Sequence, residues 1–106
     1  MNAVEKNWYV ERILQVYLQL PDTPHRINRL DRKLVQDLYD QRIPAEIVET
    51  AMLLAALRRK RSDSTAPLPA IRSLHYFLPI IREITASPLP DGYVKYLKRT
   101  AAAKLQ

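Results

Sequence analysis

One glycine in 106 residues is the feature that most limits what this chain can fold into. It stands at Gly92, after Asp91, and no strand-like run precedes that pair, so the hairpin turn that Asp-Gly favours has no strands to join. Loops that cradle phosphate and fingerprints that bind dinucleotides need two or more glycines, which excludes both. Eight prolines punctuate the chain instead, and no stretch alternates polar with apolar residues as a half-buried strand does. The lack of cysteine removes disulfides, thiolate zinc sites and cysteine nucleophiles, and it suits a reducing interior. Residues 1–6 show no apolar run behind a basic start, and no apolar stretch approaches the ~20 residues that cross a bilayer. The expectation is no membrane segment and a cytoplasmic setting, bacterial or phage-like.

Helical spacing accounts for most of what remains. Val10, Ile13, Leu14 and Tyr17 recur at i, i+3, i+4 and i+7, which predicts a helix from about Ala3 to Leu20, closed by Pro21. Asp22-Thr23-Pro24-His25 reads as a turn. A second helix starts after Asn28, a residue suited to an N-cap, with Asp31 at the third helical position, where a carboxylate complements the positive helix end. Its expected inner stripe is Ile27, Leu30, Leu34 and Leu38, widened by Val35 and Tyr39, and it stops near Arg42. Pro44 opens a third helix, apolar almost all round from Ile47 to Leu57 and so expected at the centre. Residues 62–69 form a proline-rich loop between an acidic-to-neutral half and a basic half. A fourth helix is expected from Ala70 to Ala86, kinked or split where Pro79 removes a backbone donor, and a fifth from Asp91 to about Lys104. The predicted fold is all-α: a single compact bundle of four to five helices, one domain over residues 1–106.

The formal charge of +6 is unevenly placed. Residues 1–57 hold seven Lys/Arg and eight Asp/Glu, whereas residues 58–106 hold ten Lys/Arg and three Asp/Glu, a net of +7. Such a one-sided surplus points to a polyanion or an acidic protein surface. Arg58, Arg59, Lys60 and Arg61 set four cations across one turn at the end of the third helix, more than its C-terminal dipole calls for; a plainly solvated helix end is the alternative. Arg72 joins them if the loop doubles back, and Arg82, ten residues on, is expected on the same helix face as Arg72. Lys95, Lys98 and Arg99 share one side of the last helix, with Lys104 further along. Tyr93 and Tyr96 interleave with them, rings that can stack on exposed bases unless Tyr93 turns into the core. Arg26, Arg29, Arg32 and Lys33 make a second basic patch at the start of the second helix. Cations there oppose the helix dipole, so local stability does not explain them, and phosphate binding is one explanation that would. Trp8, with Tyr9 beside it, lies off the inner stripe of the first helix and is an interface candidate, unless the bundle buries that helix on two sides.

Catalysis finds little support. His25 and His75 are fifty residues apart with no metal-ligand spacing around either. His25 reads as a solvated turn residue and His75 as partly buried and hydrogen-bonded. The acids of the first half read as solvated helix faces, Asp37 pairing with Lys33 and Asp40 with Gln36 at i, i+4. No paired carboxylates are marked out for acid–base work. The expectation is a protein that is not an enzyme and needs no cofactor or metal.

Two stretches carry a resemblance. PAEIVETA from Pro44 to Ala51, followed by the basic helix end, and IRSLHYFLPIIRE from Ile71 to Glu83 resemble small helical proteins carried by bacterial mobile elements. More distantly, residues 30–85 are similar to the C-terminal helical segment of the DnaD family of replication-primosome proteins. The resemblance implies nucleic-acid transactions and self-association. Charge and resemblance lead to one expectation: a non-enzymatic basic domain that binds nucleic-acid phosphate backbone, DNA or RNA, largely independent of sequence. It would serve as an accessory or subunit of a larger nucleoprotein complex of replication, mobile-element or CRISPR type. The rival is a protein-interaction adaptor, or a homo-oligomer, that uses the Trp8/Tyr9 helix and an acidic partner.

Overall fold

A segment that is apolar on every side has to be surrounded by the rest of the chain. The structure, a computed structural model, describes residues 3–60 and 68–105, in the order α1 (Ala3–Gln19), α2 (Arg29–Asp40), α3 (Ala45–Lys60), a 3-10 turn (Leu74–Phe77), α4 (Leu78–Ala86) and α5 (Asp91–Lys104). Among the described residues there is no strand. Helix α3 is the hub: Val48, Ala51, Met52, Leu54, Ala55, Ala56 and Leu57 are buried, and α1, α4, α5 and the 3-10 turn all pack on it. The result is compact, with a radius of gyration of 13.8 Å, close to the ~13 Å usual for a chain of this length.

Helix α1 contributes Tyr9, Val10, Ile13, Leu14 and Tyr17 to the core, the expected stripe plus Tyr9. Each large apolar side chain taken from water stabilises the fold by roughly 1.5–3 kcal/mol. Helices α1 and α2 run antiparallel, for Lys6 pairs with Asp40 at 2.8 Å and Arg32 with Glu11 at 2.7 Å, joining opposite ends. Asp40 therefore meets Lys6 across the helices rather than Gln36 within its own. Both pairs are solvent-facing and contribute at most about 1 kcal/mol each.

Helix α2 is rotated from its expected setting. Its buried residues are Asp31, Leu34, Val35 and Leu38, while Leu30 is 65% exposed. The cause is Asp31. Asn28 caps the helix by accepting the Asp31 N–H (2.7 Å), and Asp31 Oδ2 in return accepts the Asn28 N–H (3.1 Å). The other carboxylate oxygen, Oδ1, accepts the N–H of Leu74, 43 residues away, at 2.9 Å. A carboxylate holding two backbone amides must face inward, and Leu34, Val35 and Leu38 follow at i+3, i+4 and i+7.

The helix expected over residues 70–86 is shorter. Residues 68–73 are not helical, the 3-10 turn follows, and Pro79 sits in the first turn of α4, where its missing N–H would have had no intrahelical partner. No helix is interrupted at Pro79. The expected loop at 62–69 lies largely outside the described residues.

Left-handed backbone occurs at Asp22 (φ 66°), His25 (φ 59°) and Arg42 (φ 62°), none of them glycine. Arg42 ends α2: its N–H reaches Tyr39 O at 2.9 Å and the Ile43 N–H reaches Leu38 O at 3.1 Å, the paired bonds of a Schellman motif, in which this residue is usually glycine. Gly92, by contrast, lies inside the first turn of α5, and a Cβ there would meet nothing within 4 Å. The one glycine is thus not where the backbone asks for one. Arg42→Gly and Gly92→Ala are each expected to raise stability by about 0.5–1 kcal/mol, the first by relieving left-handed strain and the second by helix propensity. Thermal melts read both, and a lowered midpoint for either would refute its half.

Tyr17 stands at the centre of the core, its ring edge-on to Phe77 with centroids 6.2 Å apart. Its hydroxyl is buried with no hydrogen-bond partner among the described residues. Burial, and then the nearby negative charge of Asp31, push the phenol up to about 12.

Candidate nucleic-acid interface

The end of the bundle at which α1 and α3 finish and α2 begins is assembled by a set of local and long-range contacts. At the close of α1, Thr23 Oγ1 donates to Leu20 O at 3.0 Å and His25 Nδ1 lies 3.0 Å from Leu18 O, which folds residues 21–28 over the helix end. The Ile71 N–H then donates to Asp22 O at 2.9 Å, bringing the chain after residue 67 back against that turn. Arg59 ties the two to α3: its guanidinium donates to Pro69 O at 2.8 Å and to the Tyr76 hydroxyl at 3.2 Å, lies 3.6 Å from Asp22 Oδ2, and stacks over the Tyr76 ring at 5.3 Å. The Asp31–Leu74 bond fixes the start of α2 to the same segment.

These contacts decide what each basic residue does. Arg59 is a structural cation whose side chain is only 9% exposed, so it is not available to a phosphate. Arg58 is exposed, 3.8 Å from Glu83 on α4, and Lys60 is exposed beside it. Arg61 lies outside the described residues. Arg72 does come back to this end, two residues before the Leu74 amide held by Asp31, and it is exposed. It does not share a helix face with Arg82, because the backbone at 72 is not helical; Arg82 is exposed on α4.

The second patch divides in two. Arg32 is taken by Glu11 and Lys33 by Asp37 at 2.6 Å, the expected i, i+4 pair. Arg26 and Arg29 are exposed and make no ion pair among the described residues. Through the Asp31–Leu74 bond they stand at the same end as Arg72. Arg26, Arg29 and Arg72 thus lie on segments tied together by that bond, and the exposed Arg58 and Lys60 flank Arg59 at the end of α3, which holds the same turn through Asp22.

Helix α5 carries a third group. Lys95, Lys98 and Arg99 are exposed, with only Leu97 and Ala101 fully inward. Tyr93 is 40% exposed, not in the core, against which Leu89 packs instead. A groove of about 420 Å³ joins this helix to the basic end, with Arg58 on one wall, Glu83 and Ile84 on another, and Tyr93 on the third.

The opposite end of the molecule bears an apolar surface. Trp8 is 62% exposed, with the Arg12 guanidinium 5.1 Å over its ring. Arg12 is in turn held by both oxygens of Glu49, at 2.7 and 3.0 Å. Trp8, Tyr39, Arg42, Ile43 and Pro44 line a groove of about 460 Å³. Tyr9 also lines this groove but is not exposed as sequence suggested: it is 6% exposed and its hydroxyl donates to Ile43 O at 2.7 Å, closing the α2–α3 link onto α1.

His75 is exposed on the 3-10 turn, rather than partly buried as expected, and His25 is exposed in its turn. Among the described residues no group of three or more His, Asp or Glu stands close enough to hold a metal ion, and no helix is long and apolar enough to cross a membrane. Comparison with protein-family models, with curated proteins and with solved structures finds no match, so the functional reading rests on the surfaces themselves.

Proposed function

We propose that this protein is a non-enzymatic nucleic-acid-binding subunit whose basic end takes phosphate backbone within a larger cytoplasmic nucleoprotein complex of a bacterium, phage or mobile element. One observation carries the reading: Arg26, Arg29, Arg58, Lys60 and Arg72 come from three chain segments and are gathered at one end by bonds that have no other evident purpose for their charges. Like charges at one end repel one another, Arg58 alone being offset by Glu83 at 3.8 Å, and a polyanion is the ligand that relieves this. Contacts of this kind position a partner without reading its sequence.

The test is a salt titration. With five cations on phosphate, log Kobs against log salt should fall with a slope of about −3.5 to −4.5, the shallower value applying to single strands. A flat slope in an anisotropy titration would sink the proposal. A second reading, a protein-interaction adaptor, is favoured by the exposed Trp8 and its groove, since an aromatic this exposed is a typical interface anchor. Sedimentation of the chain alone separates the two: self-association that Trp8→Ala abolishes, with no nucleic-acid binding, would favour the adaptor.

A further inference from the structure

We propose that the groove beside Trp8 seats a second copy of this chain, the two related by a two-fold axis, with Arg42 of each facing Glu46 of the other. The inference does not rest on the phosphate-binding reading above. This surface carries both halves of a joint. Trp8 stands out of it at 62% exposed, and beside it runs the groove of about 460 Å³ along Tyr39, Ile43 and Pro44. The indole is held ready: the Arg12 guanidinium lies 5.1 Å over its ring, and both Glu49 oxygens fix Arg12. An aromatic side chain that is already immobilised loses little freedom on entering a partner's groove.

Charge selects the occupant. At this end Lys6 is paired with Asp40, and Arg12 with Glu49. Arg42 and Glu46 line the groove from either side of Pro44, and both are exposed. Neither side chain makes an ion pair or a hydrogen bond among the described residues, although the charge of Glu46 reaches Arg12. A uniformly acidic partner would set like charge against Glu46, and a basic one against Arg42. A cation and an anion flanking one groove are met by the same two groups turned through 180°, which is the isologous arrangement of a two-fold dimer. Each copy then places one Trp8 in the other's groove, and two Arg42–Glu46 pairs close the rim. The basic ends lie on the far side of both copies and are kept apart.

The backbone at Arg42 is a separate support. This residue occupies the left-handed position (φ 62°) that ends α2, where a glycine would sit without strain. Strain of this kind persists where the site has a use for it, and an arginine side chain at the groove's edge supplies one.

Sedimentation equilibrium of the chain alone, over a range of concentrations, should show monomer and dimer. Trp8→Ala should raise the dimer Kd by about 30-fold or more, the loss of a central aromatic anchor. Arg42→Glu and Glu46→Arg should each raise it by about tenfold or more, because each sets like charges face to face twice. An equimolar mixture of these two variants should dimerise as the wild type does, since both contacts of the mixed dimer again join opposite charges. Arg42→Gly, expected to stabilise the monomer, should still weaken the dimer about fivefold. Circular dichroism confirms that the variants fold. A chain that stays monomeric at every concentration would overturn the inference and leave the groove to a different protein. A dimer indifferent to Trp8→Ala, or two reversals that the mixture does not rescue, would overturn it as well. Neither result touches the salt slope, which tests the basic end separately.

Discussion

Replacing Asp31 by alanine is expected to lower stability by about 3–5 kcal/mol, the largest effect of any single polar substitution in the fold. Two amide donors lose their acceptor at once: the Asn28 N–H of the capping box and the Leu74 N–H in the core. The buried Leu74 donor left unsatisfied costs about 1–3 kcal/mol, more because its acceptor was charged, and losing the Asp31 half of the capping box adds about 1 kcal/mol, while the Asn28 cap on the residue 31 N–H is kept. Against a total stability of ~5–15 kcal/mol, that is a large fraction. Asp31→Asn should cost less, about 2 kcal/mol, because its amide keeps one acceptor oxygen and sets an N–H₂ against the other donor. Urea unfolding reads both, and amide exchange at Leu74 locates the effect. A loss below about 1 kcal/mol for Asp31→Ala would mean that the carboxylate does not hold the two segments together.

The second large effect concerns placement of charge. Neutralising Arg26, Lys60 and Arg72 together with glutamine should reduce the magnitude of the salt slope by about 3, roughly one per phosphate contact, and weaken binding to near the non-specific floor at physiological salt. The matched control removes three positive charges that are already paired: Lys6 with Asp40, Arg32 with Glu11 and Lys33 with Asp37. Net charge falls equally in both triples. Binding should persist in the control, at a slope close to the wild type. If both triples weaken binding alike, overall charge rather than the gathered end would be the cause, and the interface drawn here would be wrong. Arg59→Ala belongs to a different class: it should loosen the segment around Tyr76 and Pro69 and lower the melting temperature, with binding reduced only as far as that segment moves.

The helices were legible because their signals are local. Asn28 as a cap, the stripe on α1 and the all-round apolarity of α3 each follow from a few neighbouring residues, and the structure places them as read. Tyr9 was legible too: it precedes Ile13 and Tyr17 at i+4 and i+8, a spacing that puts it with the core, on the side of α1 away from Trp8. Asp31 was half legible. The Asn28-x-x-Asp31 pair announces a capping box, and Leu34, Val35 and Leu38 stand at the right distances for Asp31 to lead the inner face, but the partner that draws it inward is far along the chain. Arg59 had no local signal at all, since Asp22, Pro69 and Tyr76 come from different segments. The meeting of the two basic patches was hidden for the same reason. Long-range backbone bonds leave no periodicity in sequence.

The Asp31–Leu74 bond also sets a timetable. It closes 43 residues of chain, whereas α1, α2 and α3 each form from near neighbours. Loop closure of that length is paid for entropically before its bond is made, so the end of the bundle is completed after its helices. During synthesis the first three helices leave the ribosome carrying Arg26, Arg29, Arg58 and Lys60, and these cations stay dispersed until Leu74 arrives. The growing chain thus has its charges early and the end of the bundle that carries them late.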